Sequence, residues 1–462
     1  MSALSFTTLA LSPACHENLE RLGYLEMTPV QAASLPHVME GKDLIVQAKT
    51  GSGKTAVYTL GLLNTLDGAR FDPQALVVCP SRELAEQVAQ EIRKLARFLP
   101  NIKVLTLTGG APIRPQRESL AHGAHVIVGT PGRLIDHIEQ GSLNVSALRT
   151  LVLDEADRMM DMGFYEDVAW LAAQLPRQRQ TLLFSATYPE NIQKLAARFL
   201  KQPIEVRLDA QHDQQKIEQF FFEVEEKERY QAVIRLLAHY RPASAIAFCN
   251  TRARCQALAD LLQAHGVSAL ALHGDLEQRE RDDVLIQFSN QSCAVLVATD
   301  VAARGLDIEA LDAVINVDVT QDTEQHIHRI GRTGRSDHTG LALSLCSPDE
   351  MRWALAVERY QDQPLVWKSL DTLTGHTDRL RDAPMVTLCI HGGKKNKLRK
   401  LDILGALTGD GGMSGDAIGK IHVADFVSFV AISKKQAKAV FKRISQTPIK
   451  GKVYRMRYMQ EL

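Results

Sequence analysis

Apolar residues recur along this chain as short unbroken runs separated by amphipathic stretches. In the first half the runs are Leu44–Val46, Ala75–Cys79, Val104–Leu107, Val126–Val128, Leu151–Leu153 and Thr181–Phe184. A run of this kind, without polar alternation, is a strand buried on both faces. Such strands alternating with helical segments predict a parallel sheet with helices on each side. Two apolar-periodic helices precede them within the first forty residues. A polar stretch, 209–215, reads as a linker. The alternation then resumes with Ala245–Phe248, Ser268–Leu272, Ala294–Ala298, Ala313–Val317 and Leu341–Leu345, which predict a second parallel sheet. Two sheets on one chain imply a cleft in which a ligand can hold the two lobes together. Residues 368–383 are mixed in character and read as a tether. Beyond them Val386–Ile390, Gly419–Val423, Phe426–Ile432 and Lys452–Tyr458 are strand-like, and Asn396–Leu407 and Lys434–Ile444 are helix-like. The order βαββαβ in so short a segment is that of a ferredoxin-like or RNA-recognition domain. The chain therefore divides into domains at 1–208, 216–367 and 384–462, joined by 209–215 and 368–383.

Composition sharpens this picture at one place. Lys plus Arg and Asp plus Glu both number 54 in the 462 residues, so net charge alone points to no partner. The charge is unevenly spread, however. The last domain holds fifteen basic residues against five acidic ones, leaving about ten net negative charges on the rest. A small basic domain on an acidic body is an electrostatic footprint for nucleic acid. The seven cysteines show no paired spacing, which fits thiols in a reducing compartment. The N-terminus lacks a basic leader, and no apolar run reaches 18 residues, so a cytoplasmic protein with no membrane contact is expected.

The candidate chemistry sits where strands end. Leu44–Val46 runs into Ala48-Lys49-Thr50-Gly51-Ser52-Gly53-Lys54-Thr55, and a helix follows. Strand, glycine-rich turn and helix start make a phosphate cradle: Gly51 and Gly53 let the backbone approach, and freed N–H groups face the anion. Lys54 reaches the β- and γ-phosphates, and the Thr55 hydroxyl holds Mg²⁺. The general pattern begins with Gly, where this chain has Ala48. Leu151–Leu153 empties into Asp154-Glu155-Ala156-Asp157, and Phe184 into Ser185-Ala186-Thr187. Asp154 suits Mg²⁺, and Glu155 suits orienting the water that attacks a phosphoanhydride. Gln31 can donate and accept, so it can read the edge of adenine, and Phe6 can stack on a base. The second half has no cradle of its own. It offers His326-Ile327-His328-Arg329-Ile330-Gly331-Arg332-Thr333-Gly334-Arg335, whose Arg332 and Arg335 can fork onto a γ-phosphate.

Taken together, these motifs resemble the DEAD-box RNA helicases, and the resemblance extends over most of the chain. It implies an α/β fold of two tandem RecA-like parallel-sheet domains plus a small RRM-like α+β domain of order βαββαβ. It implies ATP and Mg²⁺ as ligands. Phe6 with Gly23 to Gln31 is similar to the family's adenine-selecting motif, and Thr50, Gly51, Ser52, Gly53, Lys54 and Thr55 to its phosphate loop. Pro80-Ser81-Arg82-Glu83-Leu84-Ala85 resembles a further motif, with Ser81 where Thr is usual. Gly109-Gly110 and Thr130-Pro131-Gly132-Arg133 resemble two that hold RNA backbone. By the same likeness Gln278, Arg281 and Thr299 contact RNA, Asp307 contacts ribose, and Ser185, Thr187 and His328 join the catalytic set.

Gly392-Gly393-Lys394-Lys395-Asn396-Lys397-Leu398-Arg399, opening a basic domain behind such a core, looks like the bacterial DbpA group of that family. The group implies a target in a 23S ribosomal RNA hairpin with its adjacent duplex, and action on pre-50S particles in large-subunit assembly. A monomer is expected. Phe426-Val427-Ser428-Phe429 matches only the tail of the usual third-strand RNA motif, so basic edges are expected to bind rather than the sheet. Those edges are Lys394, Lys395, Lys397 and Arg399, with Lys452, Arg455 and Arg457. Two rivals remain at this point: a DNA translocase on the same core, and an ATP-gated RNA clamp that does not separate strands.

Overall fold

The computed structural model describes residues 5–48, 51–188, 190–208, 217–303, 311–334, 339–377 and 380–460, with residue 191 described by its backbone alone. The chain forms two compact units. In the first, seven strands build one sheet: β1 (Leu44–Gln47), β2 (Ala75–Val78), β3 (Val104–Leu107), β4 (Val126–Gly129), β5 (Thr150–Leu153), β6 (Gln180–Ser185) and β7 (Ile204–Arg207). Their order is β3-β4-β2-β5-β6-β1-β7, and every pairing is parallel. Both faces are buried, as the unbroken runs require. Leu44, Val46, Ala75 and Val77 join one core cluster, while Ile45, Leu76 and Val78 join another on the opposite face. The seventh strand escaped the sequence reading for a physical reason. An edge strand has one neighbour and one wetted face, so Ile204-Glu205-Val206-Arg207 alternates and carries no unbroken run.

The second unit begins with a sheet of the same plan. Its strands are β8 (Ile217–Glu223), β9 (Ala245–Phe248), β10 (Ala269–Leu272), β11 (Val295–Ala298), β12 (Ala313–Asn316), β13 (Gly340–Cys346) and β14 (Trp367–Lys368). The order β10-β11-β9-β12-β13-β8-β14 repeats that of the first sheet when each is counted from its own first strand. Strands β8 and β14 were not expected. The first mixes charge with phenylalanines, and the second spans two residues. Helices between the strands start on sequence-coded caps. Thr28 and Gln31 form a reciprocal capping box, and Ser81, Thr251 and Asp322 each accept a backbone N–H of the helix that follows.

The last domain has β15 (Met385–Ile390), β16 (Ile418–Val423), β17 (Ser428–Ser433) and β18 (Met456–Tyr458) in the antiparallel order β16-β17-β15-β18. Helices Lys400–Thr408 and Ala437–Ile444 complete the βαββαβ order. Two sequence expectations need correction. The helix expected over Asn396–Leu407 begins only at Lys400, after a single turn at Lys394–Asn396. The strand expected over Lys452–Tyr458 is confined to Met456–Tyr458.

The described residues of 368–383, read as a tether, pack against the second sheet's core. Leu370, Leu373, Leu380 and Ala383 pack on the core of the second sheet. Arg235 donates to the Leu370 carbonyl at 2.6 Å, and the Thr374 N–H donates to His239 Nδ1 at 3.0 Å. The small domain is seated on the second sheet's lobe as part of one unit. Thr387, fully buried, takes the Asn290 amide at 3.2 Å and lies 2.6 Å from the Ser292 hydroxyl. Gln460 accepts from the Thr387 N–H at 3.2 Å and donates to the Ser292 carbonyl at 2.6 Å. Lys434 pairs with Asp382, whose carboxylate also takes the Ser268 N–H at 2.9 Å. Among the described residues no helix is long and apolar enough to cross a membrane, and all seven cysteines are buried free thiols.

Candidate nucleotide and RNA sites

Sheet order sorts the motifs of the first unit into two groups. The cradle, the Asp154–Asp157 turn and the Ser185–Thr187 turn follow β1, β5 and β6, which are neighbours. The segments from Pro80, Gly109 and Thr130 follow β2, β3 and β4, also neighbours. Parallel strands put all six turns at one end of the sheet, the end where ligands bind in open α/β folds.

The cradle is held open by backbone no L-residue adopts readily. Gly51 and Gly53 have φ of 82° and 94°. A Cβ on Gly53 would lie 2.5 Å from Gln31 Nε2. Gln31, 2% exposed, donates to the Gly53 carbonyl at 3.3 Å and accepts the Thr28 N–H at 2.9 Å. Thr28 in turn donates to the Ser52 carbonyl at 2.8 Å. The expected adenine reader thus also fixes the phosphate turn. Phe6 is 3% exposed and packs edge-on against Tyr24 at 6.0 Å, so its ring is part of the core and not the open stacking surface expected. Thr50 lies outside the described residues.

Lys54 opens helix Lys54–Thr65 and is buried, its ammonium turned back onto the Ala48 carbonyl. Burial lowers its pKa, against the opposing charges of Asp154, Asp157 and Glu155. Tyr58, one turn on, donates to Asp154 Oδ2 at 2.8 Å, and its hydroxyl also bonds the Thr55 side chain. Thr55 and Asp154, the two expected magnesium ligands, are therefore linked through one phenol. Burial, then the neighbouring Glu155 charge, pushes the Asp154 carboxyl up to about 6. Such a buried acid cluster facing a lysine and a hydroxyl suits a divalent cation, which takes one or two protein oxygens and completes its shell with phosphate and water.

Glu155 has left-handed backbone, φ 52°, and is buried in an ion pair with Arg158 at 3.0 Å. Asp157 does something its sequence position did not suggest. Its Oδ2 accepts from the N–H of Ala186 at 2.9 Å, the N–H of Thr187 at 2.8 Å and the Thr187 hydroxyl at 3.1 Å. The Asp157 N–H donates to Ser185 Oγ at 3.2 Å. The acidic turn and the Ser185–Thr187 turn are thereby clamped together. The signal was a fourth residue in the acidic cluster, and the pairing of β5 with β6 gives it meaning.

In the other group, Arg82 lies over Gly109 and Gly110, where a Cβ on Gly110 would collide with its guanidinium. Arg133 donates to the Ala111 carbonyl at 2.9 Å and pairs with Asp136 at 3.2 Å. Thr130 N–H donates to the Leu107 carbonyl at 3.1 Å. The three segments expected to hold RNA backbone are one continuous surface.

In the second unit Arg281 donates to the Ala302 carbonyl at 2.6 Å, which ties its helix to the turn after Thr299. Gln278 donates to Asp282 at 2.8 Å on the same helix. Arg332 is buried and His328 half-buried, while Arg335 and Asp307 lie outside the described residues. The arginine that organises this region is Arg329. It is 2% exposed, forks onto Asp300 at 2.6 Å through both Nε and Nη2, and donates to the Asp318 carbonyl at 2.7 Å and Asn250 Oδ1 at 3.0 Å. A helical reading could have found it, since His326, Arg329 and Ile330 share the buried face of helix Thr323–Ile330. In the small domain Lys394, Lys395, Lys397, Arg399, Lys452 and Arg455 are exposed at one end of the sheet. Arg457 stands apart from them, beside Asp283 of the second lobe.

Comparisons with known proteins agree with this arrangement. Residues 28–195 match the DEAD/DEAH box helicase model, 228–337 the helicase conserved C-terminal domain, and 387–458 the DbpA RNA binding domain. The ATP-dependent RNA helicase DbpA of Escherichia coli is 50% identical over 99% of this chain and 100% of its own length. The DEAD-box ATP-dependent RNA helicase CshA of Geobacillus kaustophilus is 43% identical over 77% of this chain and 76% of its own. Among solved structures, S. cerevisiae Dbp5 bound to RNA and ADP BeF3 aligns with a TM-score of 0.74 at 28% identity, covering 80% of this chain and 96% of that one.

Proposed function

Because the chain belongs to the DEAD-box family of ATP-dependent RNA helicases, we propose that it uses the described residues as follows. It is an RNA-dependent ATPase that unwinds RNA and carries an RNA-binding domain. The observation that carries the assignment of roles is the buried charge cluster of Lys54, Asp154 and Glu155. Charges out of water are costly unless something pairs them, and a magnesium-bound triphosphate does so. Lys54 leaves the Ala48 carbonyl for phosphate oxygens, backbone N–H groups from Gly51 to Thr55 hold the anion, and Gln31 reads adenine. Thr55 and Asp154 would hold Mg²⁺, which when bound would neutralise phosphate charge. Glu155 orients the attacking water. Ser185 and Thr187, clamped by Asp157, connect that chemistry to the rest of the sheet.

Arg332 and Arg335, with His328, complete the site when nucleotide and RNA are both bound, and Asp307 holds the ribose. A guanidinium added at this stage is worth about 10³–10⁵ in rate. RNA backbone binds Arg82, Gly109, Gly110, Thr130 and Arg133 on one unit and Gln278, Arg281 and Thr299 on the other. If each ligand favours the same arrangement of the units, each strengthens the other, and bending of the bound strand opens a short duplex. These contacts are to phosphate and sugar, so the core is blind to base sequence. Lys394, Lys395, Lys397, Arg399, Lys452 and Arg455 direct the enzyme to its target. On the resemblance of the tail to the DbpA group, the target we propose is a 23S ribosomal RNA hairpin with its adjacent duplex on pre-50S particles, and the enzyme a cytoplasmic monomer.

Three measurements test this. Lys54→Ala should abolish RNA-stimulated ATPase, and normal turnover would contradict the cradle. RNA should stimulate hydrolysis where DNA of equal sequence does not. Removing residues beyond Ala383 should erase preference among RNAs, and unchanged preference would refute targeting by the tail.

A further inference from the structure

RNA-recognition sheets hold bases on aromatics of their first and third strands. Here those strands are β15 and β17, and the outward positions on them are already covered. Val386, Leu388, Ile390, Val430 and Ile432 face the domain's own core. The alternating set, Thr387, Cys389, Phe429 and Ala431, forms the other face, with Thr387 opposite Ala431 and Cys389 opposite Phe429. These four are only 0, 2, 8 and 1% exposed. Asn290 and Ser292 of the second lobe bond Thr387, and Asp283 and Arg279 lie within electrostatic reach of Cys389. RNA binding therefore has to use another part of the domain.

One end of the sheet has the required chemistry. Ile390 pairs with both Ser428 and Met456, so the loops 391–397, 424–427 and 450–455 emerge side by side. They are bonded into one platform. Lys394 N–H donates to the Ala424 carbonyl at 2.8 Å, Lys395 N–H to the Asp425 carbonyl at 2.9 Å, and His391 N–H to the Arg455 carbonyl at 2.9 Å. Ser428 Oγ donates to the Gly392 carbonyl at 2.6 Å, and Lys450 Nζ to the Lys397 carbonyl at 3.1 Å. Lys394, Lys395, Lys397, Lys450, Lys452 and Arg455 are all exposed on it, with Asp425 as the opposing acid in the middle loop. In that loop Phe426 is 67% exposed, a large apolar ring left in water beside a row of cations.

We infer that this loop platform binds unpaired RNA, with the Phe426 ring stacked on a base and Lys394 and Lys395 on the flanking phosphates. The inference deepens the targeting role proposed for the tail and rests on it. A stacking ring flanked by cations is how sequence-tolerant single-strand sites are built. The close bonding of the loops holds the ring without a large ordering cost on binding.

The test uses the full chain and a fluorescein-labelled RNA stem-loop carrying 2-aminopurine in its unpaired loop. Phe426→Ala should weaken binding about 5- to 150-fold, the range for loss of one base stack. It should leave the salt dependence of binding unchanged and abolish quenching of the 2-aminopurine, and Phe426→Trp should restore both affinity and quenching. Lys394→Ala with Lys395→Ala should instead flatten the salt dependence. Affinity within twofold of wild type for Phe426→Ala, with loss in the lysine pair, would overturn the stacking inference and leave electrostatic targeting standing. Wild-type affinity in both variants would overturn the inference together with the targeting role.

Discussion

Asp157→Ala is the most informative single change in the first unit. Asp157 is 4% exposed, and its Oδ2 accepts the N–H groups of Ala186 and Thr187. Alanine takes the acceptor from both N–H groups, on residues that are half-buried. A donor left unsatisfied costs about 1–3 kcal/mol, and partial access of water puts these two at the lower end. The two together give a loss of about 2 kcal/mol. The Thr187 hydroxyl, 3.1 Å from the same oxygen, can rotate to another acceptor and adds little. For a unit of about 200 residues that loss lowers the melting temperature by about 4–8 °C. Calorimetry of the full chain should show the transition of the first unit move alone, and hydrogen exchange should place the loss of protection at the Ala186 and Thr187 amides. Thr187→Val should cost about 1 kcal/mol, because only the hydroxyl bond goes. A fall of less than about 1 kcal/mol in Asp157→Ala would refute the clamp, since it would mean the two amides never depended on that oxygen.

Three further outcomes follow from the same reasoning. Burial and the neighbouring Glu155 charge raise the Asp154 carboxyl from its ordinary 3.8 to about 6. The folded chain therefore holds a proton that the unfolded chain releases, and ligand-free stability should fall as pH rises from about 4 to about 6. Asp154→Asn should flatten that limb in pH-dependent melts and gain up to about 3 kcal/mol at neutral pH. Arg329→Met should destabilise the second unit by about 3–5 kcal/mol in urea titrations, because Asp300 would be left without its forked partner. Thr387→Glu puts a carboxylate between Asn290 and Ser292 and should release the small domain, seen as a larger radius of gyration in small-angle scattering.

Much of this protein could be read before any coordinates. Strands buried on both faces must be apolar at every position, so Leu44–Val46 and Ala75–Cys79 announced themselves, and the turns following them carried the chemistry at legible spacings. Glycine at 51 and 53, lysine at 54 and the Asp154–Glu155 pair follow from what a phosphate and its cation demand locally. Edge strands β7 and β14, and β8 beside the two-residue β14, were not legible, because partial burial leaves no such pattern.

Three-dimensional pairing supplied what remained. Strand order is a choice among distant partners, and it alone separates the turns proposed to hold nucleotide, after β5, β6 and β1, from those proposed to hold RNA backbone, after β3, β4 and β2. Asp157 became a clamp because β6 lies beside β5, and Arg329 became a hub because three other segments deliver acceptors to it. The small domain read as a tethered module, yet Thr387 is fully buried under Asn290 and Ser292, nearly a hundred residues upstream. Local propensity and periodicity act over a few residues, so they place elements and turns. Which buried polar group meets which acceptor depends on contacts between segments far apart in the chain, and those contacts form only when the whole sheet has assembled.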